Sequence, residues 1–87
     1  MTEKVWTVNV VLTEEGDRTR ADAIIEGADD QVRGFGRAKR APDDPNVPLI
    51  GDELAAARAL SDLSHKLLDA AASRIEAYEG HPVKVHD

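Results

Sequence analysis

This 87-residue chain predicts an α+β fold, a three-stranded antiparallel β-meander followed by one long C-terminal α-helix packed on one face. Two observations lead there. Three segments in the first half alternate apolar and other residues with a period of two, and the second half repeats apolar residues every three or four positions. A proline-rich stretch separates the two patterns. The length suits a single domain over 1–87, with only roughly 60–65% of the unfolded surface buried at this size.

Lys4–Leu12 is the first strand. Trp6, Val8, Val10 and Leu12 point one way, and Val5, Thr7, Asn9 and Val11 the other. Glu14-Glu15-Gly16-Asp17 reads as a hairpin turn in which Gly16 is free to take positive φ. Thr19–Glu26 alternates again, with Ala21, Ala23 and Ile25 opposed to Arg20, Asp22, Ile24 and Glu26. After a turn at Gly27–Asp30, Gln31–Lys39 forms the third strand. One of its faces carries Val32, Gly34, Gly36 and Ala38, and the other Arg33, Phe35, Arg37 and Lys39.

Residues 41–49, with Pro42, Pro45 and Pro48, form a loop that carries the chain off the sheet. The helix is expected to start at Asp52 as N-cap. Leu54, Ala57, Leu60, Leu63, Leu67, Ala71, Ile75 and Tyr78 then make an apolar stripe, with a break allowed near Ala70–Ser73. Gly80 is the natural stop, leaving 80–87 as a tail. Small residues on strands two and three match small residues on the helix. The two layers should therefore lie close, with Trp6, Val8, Val10 and Leu12 filling the wider end.

Composition narrows the function classes. There is no cysteine, so neither a disulfide framework nor a thiolate metal site is available. No apolar run approaches the ~20 residues of a membrane span, and a cytoplasmic location is expected. The net charge of −6 is uneven. Residues 18–40 hold Arg18, Arg20, Arg33, Arg37, Lys39 and Arg40, and no carboxylate lies between Gln31 and Pro42. Such a basic stretch in an acidic chain bears on partners and says nothing of the fold.

No catalytic or cofactor constellation emerges. Gly34-Phe35-Gly36 lacks a third glycine and sits inside a strand. Asp43-Asp44 and Asp52-Glu53 are adjacent pairs whose side chains diverge. His65, His81 and His86 have no standard ligand spacing, so no metal is expected. The serines lack a nucleophile elbow, and the chain is read as a non-enzyme. The remaining candidate is the basic strand. Arg33, Phe35, Arg37 and Lys39, with Arg40 just beyond, are suited to phosphate and base contacts; the other readings are an ordinary solvated face with Phe35 buried at a dimer contact, and an acidic protein surface as partner. Val5, Val11, Ile24 and Phe35 expose apolar area on the same face, which predicts a homodimer there.

Two longer stretches, Val32-Arg33-Gly34-Phe35-Gly36-Arg37-Ala38 and Asn46 through Leu63, resemble an actinobacterial family of unknown function. Asp17–Ala21 and Ile75–Ala77 are similar to it as well, so the resemblance spans nearly the whole chain. It implies a fold like that of double-stranded-RNA-binding domains. It also implies a place, for some members, in the hypoxia and dormancy regulon, and a proposed likeness to ribosome hibernation factors. The functional expectation is a stress-linked, non-catalytic dimer that meets the ribosome or structured RNA through strand three. The alternative is a homodimeric protein-interaction module with no nucleic-acid role.

Overall fold

The computed structural model describes residues 2–28 and 31–80. Three strands, β1 (Thr7–Glu15), β2 (Arg18–Glu26) and β3 (Arg33–Lys39), form one antiparallel sheet in the order β1-β2-β3, followed by a helix α1 (Pro48–Glu79). The α+β meander-plus-helix architecture is the expected one. The β1–β2 hairpin is tight, with Glu15 opposite Arg18 and only Gly16 and Asp17 between them. Gly16 adopts φ 61°, and glycine carries that left-handed value without a Cβ penalty.

The register settles where every side chain and every backbone group points. Ala21 lies opposite Gly36 and Ala23 opposite Gly34, and these residues are buried under the helix. The partners on the other face are Arg18 with Lys39, Arg20 with Arg37, Asp22 with Phe35, and Ile24 with Arg33. Ile25 N–H donates to Val32 O, and Asp17 O accepts from Arg40 N–H, so odd-numbered residues of β2 bond toward β3. Even-numbered residues of β2 therefore bond toward β1, where they meet the odd-numbered Thr7, Asn9, Val11, Thr13 and Glu15. The outer edge of the sheet at β1 is left with the N–H and C=O groups of Val8, Val10, Leu12 and Glu14.

The helix contacts β2 and β3 much more than β1, and the glycines explain why. A Cβ on Gly36 would collide with Ala55 O and Ala59 N, and one on Gly34 with Ala59 O and the Leu63 backbone. The helix backbone thus rests directly on strand three. The buried core is Ala21, Ala23, Ile25, Ala38, Ala55, Ala59 and Leu63. This moves the buried helix stripe from the expected Leu54–Ala57–Leu60 line to the alanine line. Leu54 and Leu60 stay exposed because only a methyl fits between the two backbones.

Three further expectations are corrected. The helix begins at Pro48 after an N-cap at Val47, not at Asp52, so 48–49 are helical and the loop ends at Val47. Proline serves at that first position because its φ is already helical and its missing N–H would have had no partner. The helix runs unbroken through Ala70–Ser73 to Gly80, which closes it at φ 77° with its N–H on Glu76 O. Finally, Trp6, Val8, Val10 and Leu12 share the helix-side face but fill no core, and they remain 36–54% exposed. The close seat on Gly34 and Gly36 holds the helix over β2 and β3 and leaves β1 as an uncovered apolar ledge. The tail residues 81–87 lie outside the described residues.

Candidate nucleic-acid interface

The face of the sheet turned away from α1 is built by alternation. Each even residue of β2 and each odd residue of β3 must project there once Ala21, Ala23, Gly34 and Gly36 face the helix. Across neighbouring rows this places Arg18 beside Lys39, Arg20 beside Arg37, Phe35 beside Asp22, and Arg33 beside Ile24. Side chains two apart on a strand are about 7 Å apart, so the cations form a grid and not a cluster. β1 adds Thr13 next to Arg20, Val11 next to Asp22, and Glu15 next to Arg18.

These cations divide into committed and free. Arg20 grips Asp22 through two bonds, Nε to Oδ2 at 3.2 Å and Nη2 to Oδ1 at 3.1 Å. The carboxylate beside it raises the affinity of the Arg20 guanidinium for its proton. Its Cζ also lies 4.8 Å from the Phe35 ring centroid, and Lys66 Nζ, reaching over from the helix, lies at 4.8 Å as well. Both are cation–π distances. By contrast, the side chains of Arg18, Arg33, Arg37 and Lys39 have no ion pair or hydrogen bond among the described residues. Four unneutralised charges on an open sheet attract a polyanion by counterion release.

Of the residues expected from the sequence, Arg33, Phe35, Arg37 and Lys39 come together on this face. Arg40 does not, because its even position turns it to the other side. There its Nη1 donates to Asp44 O at 3.2 Å, beside a hollow of about 330 Å³ between the hairpin tip and the proline loop. Phe35 has two cations, Arg20 and Lys66, within cation–π distance of its ring, and the ring stays partly exposed. Val11, Ile24 and Phe35 do share this face, but Asp22 and Arg33 interleave them, and Val5 lies before the start of β1. Arg18 and Arg20 are not among the residues that the sequence singles out for this face. The signal for them was the pairing across the second turn, which sets the start of β2 against the end of β3.

Along the outer edge of β3 the helix supplies side chains at intervals of four. Arg58 Nη1 donates to Arg37 O at 2.7 Å, Phe35 N–H donates to Asp62 Oδ2 at 2.8 Å, and Lys66 Nζ donates to Arg33 O at 2.8 Å. Lys66 and Asp62 also pair at 3.0 Å. The Phe35 N–H and the Lys66 ammonium hold the Asp62 carboxyl below the usual carboxylate range. No group of three metal-ligating side chains occurs among the described residues. Nor is any described helix long and apolar enough to cross a membrane.

Known proteins resemble this chain over nearly its whole length. A family model described as Rv2632c-like matches residues 4–84. The chain belongs to the Rv2632c-like family. Within it, an uncharacterized protein of Mycobacterium tuberculosis, Rv2632c, is 45% identical over 80 residues, covering 92% of this chain and 86% of that one. An uncharacterized protein of Mycobacterium bovis, Mb1767, is 41% identical over 80 residues, covering 92% and 85%. The crystal structure of Rv2632c superposes with a TM-score of 0.84 at 43% identity, over 94% of this chain and 98% of that one. These Rv2632c-like relatives carry no catalytic assignment.

Proposed function

We propose that this Rv2632c-like chain is a non-catalytic protein that binds structured RNA, ribosomal RNA included, through the open face of its sheet. The dormancy setting and the likeness to ribosome hibernation factors implied by the family resemblance are part of this reading. One observation carries it: Arg18, Arg33, Arg37 and Lys39 stand uncommitted on one exposed face of an otherwise acidic chain. A charge of −6 opposes non-specific adhesion, so contact is directed to this face.

The grid makes the reading testable. Binding to a structured RNA and to purified ribosomes should weaken steeply as salt rises. Each of the four residues changed to alanine should reduce the salt slope by roughly 0.7–0.9. Phe35→Ala should lower affinity by loosening Arg20 and Lys66 while leaving the slope nearly intact. Equal, negligible RNA binding by wild type and the four-fold alanine variant at low salt would assign the face to an acidic protein surface.

A further inference from the structure

The two edges of the sheet differ in whether their hydrogen bonds are satisfied. At β3 one outward group of each residue is met, Arg33 O by Lys66, Phe35 N–H by Asp62 and Arg37 O by Arg58. At β1 the outward groups of Val8, Val10, Leu12 and Glu14 have no partner among the described residues. Bare strand edges are templates for another strand, and proteins ordinarily blunt them with charge, proline or cover. Within Val8–Thr13 there is none of these, only Val8, Asn9, Val10, Val11, Leu12 and Thr13. The same strand carries the uncovered ledge of Val8, Val10 and Leu12, with Trp6 exposed just before it.

We infer that β1 is the docking edge for β1 of a second copy of this chain, antiparallel and centred on Asn9. The side-chain pattern selects both the occupant and the register. Antiparallel neighbours share a face, so residue pairs must have the same parity. With residues 4–6, which precede β1, extended in line with it, centring on Asn9 sets Val8 against Val10, Trp6 against Leu12, and Lys4 against Glu14 of the second copy, each pair occurring twice by symmetry. The apolar ledges then run together, flanked at both ends by opposite charges. Thr7 faces Val11 and Val5 faces Thr13 on the other side. Centring one residue later, on Val10, sets Trp6 against Glu14 and Lys4 against Gly16, which loses the ion pairs and places a carboxylate on an indole. The strand is thus complementary to itself in one register.

This goes beyond the RNA reading and does not depend on it, yet it has a consequence for it. Pairing within one sheet preserves faces. The six-stranded product carries both helices on one side and both cationic grids on the other, one at each end with the two β1 strands between them. The dimer face moves from the mixed Val5–Val11–Ile24–Phe35 surface to the strand edge.

The absence of cysteine from the chain makes the test clean. Sedimentation of the RNA-free protein at tens of micromolar should show a dimer. In Asn9→Cys, the two Asn9 positions form a non-hydrogen-bonded pair with Cα atoms roughly 4.5 Å apart, within disulfide range. Mild oxidation should therefore link nearly all chains in pairs, while Thr7→Cys should remain unlinked. Val10→Pro removes only an outward N–H, so it should give a folded monomer. If proline unfolds the chain, Val10→Lys supplies the same readout by charge. Wild type that sediments as a monomer overturns the proposal. So does a dimer in which Asn9→Cys fails to cross-link. RNA binding is measured separately, so failure of dimerisation and failure of RNA binding are distinguishable.

Discussion

The β3 edge and the β1 edge belong to the same sheet, yet one is partly capped by side chains of the helix and the other is bare. The difference originates in two glycines. Gly34 and Gly36 bring the helix backbone down onto β3, so that Arg58, Asp62 and Lys66 can reach around to its outer hydrogen-bonding groups. A helix held that tightly at one side cannot also span β1, one strand spacing of roughly 4.8 Å beyond β2. A single close contact therefore closes one edge, exposes the apolar ledge on the other, and leaves the whole back of the sheet open for charge.

Disturbing that contact should give the largest effect. Gly36→Val drives two methyl groups into the Ala55 and Ala59 backbone, and overpacking of a tight contact costs typically 1–3 kcal/mol, with more where backbone must move. The expected loss is at or above about 3 kcal/mol by chemical denaturation, because the obstructing atoms belong to a rigid helix. An unchanged denaturation midpoint would mean that the helix does not need this seat. The edge contrast would then have another origin.

A smaller effect should come from the edge cap itself. Asp62→Ala removes the acceptor for the Phe35 N–H without altering the sheet–helix core. Amide exchange at Phe35 should accelerate well beyond that of its even-numbered neighbours, which bond to β2. If Phe35 exchange is unmoved, the helix covers the edge by bulk and not by its hydrogen bonds.

The meander, its turns and the Gly80 stop were legible because period two and glycine chemistry act locally. The identity of the helix face was not. Leucines at three-four spacing are the stronger apolar signal, but the strand glycines admit only Ala55 and Ala59, and that is a property of two segments together. The site divides the same way. Arg33, Arg37 and Lys39 follow from alternation along one strand, whereas Arg18 and Arg20 join them only through a cross-strand register. Arg40 was misplaced by one step of parity. The i, i+4, i+8 set Arg58, Asp62 and Lys66 is visible in sequence as a polar line, but what it touches depends on the seat of the helix.

The smallest expected effect lies where the bare strand meets the helix. Glu14, near the end of β1, faces Asp52 in the second turn of α1, and this carboxyl neighbour raises the Glu14 pKa by hydrogen bonding and repulsion. Asp52 Oδ1 is itself buried without a hydrogen-bond partner. A folded-state carboxyl with a raised pKa favours the native state while protonated, and this contribution is lost as pH rises through the raised value. Asp62 has the opposite sign. Its lowered pKa stabilises above the ordinary carboxylate range, and that contribution is lost as pH falls through the depressed value. Glu14→Gln should therefore raise the melting temperature slightly at neutral pH, with the gain shrinking in acid. Asp62→Asn should lower it at neutral pH, with the deficit shrinking in acid. Two carboxylates, one beside each edge, thus titrate the same fold in opposite directions. Melting curves of both variants across the acidic range would show the two differences converging on wild type from opposite sides. A shared sign would mean that Asp52 does not raise the Glu14 carboxyl, and that the bare strand is not tied to the helix at this point.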